Sequence, residues 1–305
     1  MNETGATAET ADLSTQDLDL LTNLLISPAQ LADRLADPAW VVVDCRFSLA
    51  DPTQGDRQYA TAHIPGAVYA HLDRDLSSPA GPHGGRHPLP PLDRLVDRLG
   101  QWGIDRDRWV AIYDDSRFGF AARLWWLLRY LGHDRAVLLD GGWSAWVAAG
   151  LPTTADVPAP LRRAFEPQVR PELLATIKDV KETQRLGEGM LLDSREPVRY
   201  RGETEPIDPV AGHIPGAVNY PWVEVCDAQG QARSILALQD HFRAIDPAPA
   251  PIVYCGSGVT ACANLWALTR AGYGQARLYA GSWSDWCSYP ELPVVTRSAF
   301  NRATD

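Results

Sequence analysis

Ala62-His63-Ile64-Pro65-Gly66-Ala67-Val68 returns 150 residues later as Gly212-His213-Ile214-Pro215-Gly216-Ala217-Val218, with six of the seven residues unchanged. A phrase written twice marks a tandem repeat, and its flanks extend the match. Upstream, Val43-Asp44-Cys45-Arg46 parallels Leu192-Asp193-Ser194-Arg195. Downstream, Val110-Ala111-Ile112-Tyr113 parallels Pro251-Ile252-Val253-Tyr254. The offset of 141 that relates Tyr113 to Tyr254 also relates Trp125 to Trp266, so the register is unbroken across the intervening loop. Asp140-Gly141-Gly142-Trp143-Ser144-Ala145-Trp146 likewise answers Ala280-Gly281-Ser282-Trp283-Ser284-Asp285-Trp286. The paired tryptophans, present in both copies, read as packing rather than substrate stacking.

Within a copy, short β-rich runs (Trp40 to Asp44, Trp109 to Tyr113, Ala136 to Leu139) alternate with helical stretches such as Ala121 to Leu131. This is the pattern of an α/β domain, a parallel sheet covered by helices on both faces. Five prolines between Pro152 and Pro171, with no sustained apolar period, predict an extended linker. The expected division is a disordered tail over 1–20, an N-terminal domain over 21–152, a linker over 153–172 and a C-terminal domain over 173–305.

The 305 residues are 45% hydrophobic and 22% charged, the balance of a globular chain. A net charge of −10 disfavours a nucleic-acid or anionic-membrane surface, and no apolar run approaches the roughly 20 residues of a membrane span. Met1 to Gln16 lacks the layout of a signal or transit peptide, so a cytoplasmic location is expected. Cys45, Cys226, Cys255, Cys262 and Cys287 are too dispersed for a disulfide framework, no spacing suggests a metal site, and no motif implies a cofactor.

Ligands of open α/β sheets bind beyond the carboxyl ends of the strands. Asp114 and Cys255 occupy that position in their respective copies. Cys255-Gly256-Ser257-Gly258-Val259-Thr260-Ala261 is a tight glycine-bearing loop ahead of a helix, able to turn its amides inward as an anion nest. A thiol held there is favoured as its anion, and Cys255 is expected to be a nucleophile near neutral pH. The same donors, with Gly256, Gly258, Val259 and Thr260 around them, would hold a persulfide. A strand-end cysteine that is merely packed is the other reading of this residue. Arg86 and His87 lie in a Gly/Pro-rich loop that can reach across the interdomain cleft or remain an ordinary solvated loop.

The Cys-Gly-Ser-Gly-Val-Thr-Ala loop, the doubled His-Ile-Pro-Gly-Ala-Val, Gly-Gly-Trp and Gly85-Arg86-His87-Pro88-Leu89-Pro90 together resemble the tandem-domain rhodanese family over roughly residues 25 to 297. The resemblance implies two rhodanese-like domains, an active C-terminal one and an inactive N-terminal duplicate, to which Asp114 in place of cysteine is suited. It implies sulfur transfer from a small anionic donor, 3-mercaptopyruvate or thiosulfate, to a thiol, cyanide or thioredoxin-like acceptor. The neutral Gly256-Ser257-Gly258 loop is similar to that of the members acting on 3-mercaptopyruvate. Thiosulfate, which departs as doubly charged sulfite, gains more from cations in the loop. Arg199 aligns with the family's donor-binding arginine. Where those members have Glu-Pro-Arg, this chain has Glu205-Pro206-Ile207, and Arg201 is the candidate substitute.

The family's Cys–Ser–His–Asp relay would map onto Cys255, Ser257, His63 and Asp56. The identical surroundings of His213 keep a turn-stabilising role open for both histidines. Two other functions compete with sulfur transfer by a small-molecule enzyme. A Cys-x5-Arg phosphatase or arsenate reductase loop is opposed by Ala261 at the arginine position, whereas a persulfide carrier that delivers sulfur to a partner protein keeps the Cys255 loop and stays open.

Overall fold

The structure, a computed structural model, describes residues 14–296. Strands β1 (Leu25–Ile26), β2 (Trp40–Asp44), β3 (Val68–Tyr69), β4 (Trp109–Tyr113) and β5 (Ala136–Leu139) form a parallel sheet in the order β1-β5-β4-β2-β3. The second copy repeats it: β6 (Leu174–Ala175), β7 (Leu191–Asp193), β8 (Ala217–Asn219), β9 (Ile252–Tyr254) and β10 (Arg277–Tyr279), ordered β6-β10-β9-β7-β8. Val43 pairs with Ile112 in the first sheet, and Leu192 with Val253 in the second. Central strands covered on both faces read as unbroken apolar runs, and every residue of β2 and β4 is buried.

Side chains divide by period two. Val41, Val43, Val110 and Ile112 face one apolar core; Trp40, Val42, Trp109 and Ala111 face the other. The first of these cores does not stop at the domain boundary. It runs through helices Ala121–Tyr130 and Ala261–Ala271 into Leu192, Val253 and Leu278 of the second sheet. Both helices are buried almost all round, as a shared interface demands.

The stretch expected as a tail up to residue 20 is helical from Thr15 to Asn23. Ser14 and Asp17 close a capping box and Leu20 is buried; residues 1–13 lie outside the described part. Past Gly150, the proline-bearing segment carries no helix or strand before Pro171, yet it is held to the first domain: Thr154 bridges His63, Gln168 N–H donates to the Leu131 carbonyl, and Phe165 is buried. Among the described residues no helix is long and apolar enough to cross a membrane.

Candidate active site

Cys255 follows β9 directly. Gly258 takes φ +75°, a conformation cheap only for glycine, and so turns its N–H back onto the Cys255 Sγ at 3.1 Å. Helix Ser282–Trp286 secures the loop from beneath. Ser282 Oγ accepts from the Cys255 N–H, while the N–H groups of Trp283 and Ser284 donate to the carbonyls of Cys255 and Gly256. Cys255 is 2% exposed, at the floor of a cavity of about 230 Å³.

Both domains build that cavity: Leu49, Arg86, Ser116, Gly119 and Phe120 come from the first, Arg199, Ile207, Trp222 and the Cys255 loop from the second. In the first domain, the loop after β4 holds the corresponding place and closes on an acid of its own. The Asp114 carboxylate accepts from the N–H groups of Ser116 (2.9 Å), Phe118 (3.1 Å), Phe120 (2.9 Å) and Ala121 (2.8 Å). Burial pushes the Asp114 carboxyl up, against the amides that favour its anion.

Residues 83–87 cross from the first domain to the second. Gly84 N–H donates to Asp285, Arg86 N–H to Ser284 Oγ, and the His83 ring stacks on Tyr289. At Gly85 (φ +84°) the two backbones touch, and a Cβ would overlap the Gly281 carbonyl.

This crossing delivers His87, whose Nδ1 lies 2.8 Å from Ser257 Oγ and whose Nε2 lies 3.4 Å from Asp73 Oδ1. Burial first, then the charges of Arg123 and Arg86, pull the imidazole down to about 4. Asp73 is well exposed, and solvent screening leaves it too weak to offset that shift. His87 is therefore neutral near pH 7. With its hydrogen on Nε2, facing Asp73, it can accept the Ser257 hydroxyl proton at Nδ1.

Arg86 and Arg199 close over Gly256, where a Cβ would stand 3.1 Å and 3.4 Å from their guanidinium nitrogens. Arg199 pairs with Glu205 at 2.7 Å and with Asp208 at 3.2 Å, and Arg86 also pairs with Asp208. The two cations converge from different domains on the space beside Cys255, a geometry that suits a small carboxylate or sulfonate.

Of the residues expected at this site, Cys255, Gly256, Ser257, Val259, Thr260, Arg86 and Arg199 line the cavity, and Gly258 caps the sulfur. His63, Asp56 and Arg201 are not brought there. The His63 ring stacks on Tyr59 at 4.0 Å and is tied to the carbonyls of Tyr59 and Asp156; His213 stacks on Tyr200 at 3.9 Å in the same way. Asp56 is engaged by Arg74 at 2.5 Å, and the half-exposed Arg201 by Glu203 at 2.8 Å. The histidine and acid near Ser257 are instead His87 and Asp73. Gly85-Arg86-His87-Pro88 carried the signal for the histidine, whereas nothing in the sequence singled out Asp73.

The family model described as "Rhodanese-like domain" matches residues 27–149 and again 175–289. A probable 3-mercaptopyruvate sulfurtransferase of Pseudomonas aeruginosa is 46% identical over 279 residues, 89% of this chain and 98% of that protein. A putative thiosulfate sulfurtransferase of Mycobacterium tuberculosis is 38% identical over 89% of this chain and 96% of its own length. The solved structure of 3-mercaptopyruvate sulfurtransferase from Leishmania major superposes with a TM-score of 0.76 at 31% identity, covering 86% of this chain and 74% of that one. Matched in both halves by one domain model and over nearly full length by these relatives, the chain belongs to the rhodanese-like family, as a two-domain sulfurtransferase.

Proposed function

We propose that the protein takes sulfur from 3-mercaptopyruvate onto Cys255 and passes it as a persulfide to a thiol, cyanide or thioredoxin-like acceptor. The Cys255 thiolate attacks the donor sulfur. An S–S bond forms, the C–S bond breaks, and its electron pair leaves on the methylene carbon as the enolate of pyruvate. That carbon needs a proton, and the donor thiol has one to give. Ser257, backed by neutral His87, is the group placed to move it between them. Cys255 is left as Cys–S–S⁻ facing the Gly258 N–H. In the second half, the acceptor attacks the outer sulfur, the S–S bond breaks, and the Cys255 thiolate returns.

The observation that carries this reading is the 2.8 Å contact of His87 with Ser257 beside the nucleophile. Proton-handling groups serve a carbon leaving group, whereas sulfite leaves thiosulfate without needing a proton. Arg86 and Arg199 are the proposed carboxylate clamp, with Arg86 standing in for the arginine that Ile207 replaces. A thiosulfate donor is the second reading, favoured by the name of the Mycobacterium tuberculosis relative. The five cysteines, all unpaired, suit a reducing compartment such as the cytoplasm.

The test is the initial rate of sulfur transfer to cyanide from each donor at equal concentration, with Cys255→Ser as control. A clear preference for 3-mercaptopyruvate, abolished in Cys255→Ser, is expected. Preference for thiosulfate overturns the donor assignment, and full activity in Cys255→Ser overturns the nucleophile.

A further inference from the structure

Arg46, Arg195 and Arg123 are each 2% exposed or less. Arg46 and Arg195, equivalent residues of the two repeats, are neutralised by Asp44 at 2.5 Å and Asp193 at 2.6 Å. Arg123 differs. It projects from helix Ala121–Tyr130 of the non-catalytic domain into the back of the catalytic loop, where it donates to the carbonyls of Gly258 at 2.9 Å, His87 at 3.1 Å and Leu76 at 3.4 Å and also meets the Cys262 thiol. A buried guanidinium with carbonyl partners has its hydrogen bonds but no counter-charge, which is costly.

No carboxylate of the described residues pairs with Arg123, and the groups nearby that can become negative are the thiols of Cys262 and Cys255. Burial pushes the Cys262 thiol up to about 12, so it stays neutral. On the open side of Cys255, Arg86 and Arg199 are already engaged by Asp208 and Glu205, Arg195 is engaged by Asp193, and His87 is uncharged. Gly258 stands between the two partners, its N–H on the Cys255 sulfur and its carbonyl on Arg123.

The repeat offers an internal comparison. The offset of 141 places Asn264 opposite Arg123, and there a neutral amide suffices to brace Ser194 and the Tyr220 carbonyl. Bracing alone therefore does not require a cation at this position of the fold.

We propose that Arg123 is a positioning residue whose charge, supplied by the non-catalytic domain, is the standing counter-charge for the Cys255 thiolate and persulfide. It acts through Gly258 and through the His87 carbonyl, so one side chain sets both the sulfur loop and the proton relay. The inference rests on Cys255 as the nucleophile.

The experiment measures the rate of Cys255 alkylation by iodoacetamide against pH, read at the Cys255 peptide by mass, in wild type, Arg123→Gln and Arg123→Lys. Glutamine keeps two N–H donors and loses the charge; lysine keeps the charge and loses the planar fork of the guanidinium. The pH midpoint is expected to rise by about one unit or more in Arg123→Gln, a roughly tenfold slower reaction below it, and to stay within about 0.3 units in Arg123→Lys. A folded Arg123→Gln with the wild-type midpoint, or a lysine variant shifted as far as the glutamine one, overturns the proposal. If Arg123→Gln does not fold, Cys255→Asp is compared with Cys255→Asn, both with Arg123 intact. A higher melting temperature for the aspartate supports the counter-charge, and an equal or lower one overturns it. Wild-type protein that neither alkylates at Cys255 nor takes sulfur from either donor refutes the nucleophile itself; sulfur loading with an unmoved Arg123→Gln midpoint refutes Arg123 alone.

Discussion

Ser257 and His87 meet across the domain boundary, so the proposed relay can be cut without touching Cys255. His87→Asn is expected to lower kcat with 3-mercaptopyruvate by about 10²-fold while leaving turnover of thiosulfate within about threefold. Equal losses with both donors would mean that the residue only shapes the loop. His63→Asn is expected to spare both rates and to lower the melting temperature, because its ring holds the proline-bearing segment through the Asp156 carbonyl. The resemblance pointed to His63 as the relay histidine, while its repetition as His213 kept a turn-stabilising role open. In a duplicated chain, however, what repeats is what the fold needs twice, and chemistry performed once resides where the copies differ. The roles proposed for Cys255, which faces Asp114 in the repeat, and for His87, whose Gly85-Arg86-His87-Pro88 segment has no counterpart after Gly212-His213, follow that logic.

The loops after β4 and β9 are one element used in two ways. One presents amide to sulfur; the other is closed by a carboxylate of its own, and its Ser116, Gly119 and Phe120 become the far wall of the Cys255 cavity. Asp114→Asn removes an acceptor oxygen and sets an amide against the N–H groups of Phe120 and Ala121. It is expected to destabilise the protein by about 1–3 kcal/mol, measured by urea unfolding, while the rate of persulfide formation at saturating donor stays within about twofold. An unchanged unfolding midpoint would show that the loop does not depend on the carboxylate. Strands of this kind were legible in advance: the apolar runs at Trp40 to Asp44 and Trp109 to Tyr113 are β2 and β4 to the residue. The helix Thr15–Asn23 was not, because its polar composition hid the Ser14–Asp17 cap and the apolar anchors at Leu20 and Leu21.

At the scale of the molecule, the two domains share one core, with helices Ala121–Tyr130 and Ala261–Ala271 at its centre. Nothing local in the sequence announces such docking, since an interface helix and a buried core helix carry the same all-round apolar pattern. Two histidines make this assembly acid-sensitive. Burial holds His87 and His133, the latter beneath Phe165 of the linker, at about 4. An unfolded chain takes up protons near 6.5. Both folded values lie below the unfolded one, so stability falls as the pH drops from about 6.5 towards 4 and levels off below, by up to about 3 kcal/mol for each group. Melting temperatures in matched buffers across that range would check it; His133→Phe is expected to flatten the curve, and a slope unaltered by that change would reject the assignment.

Gly85 and Gly281 touch backbone to backbone where the first domain crosses to the second. No side chain can be tried at Gly85 without prying the halves apart, so the width of the cleft is closed to gradual evolutionary tuning. Adaptation to a larger donor or a new acceptor is left to the rim, at Leu49 and Ile207, both about half exposed and both on the cavity wall. An ancestor free to vary its substrate would have done so by repainting the doorway rather than by moving the walls.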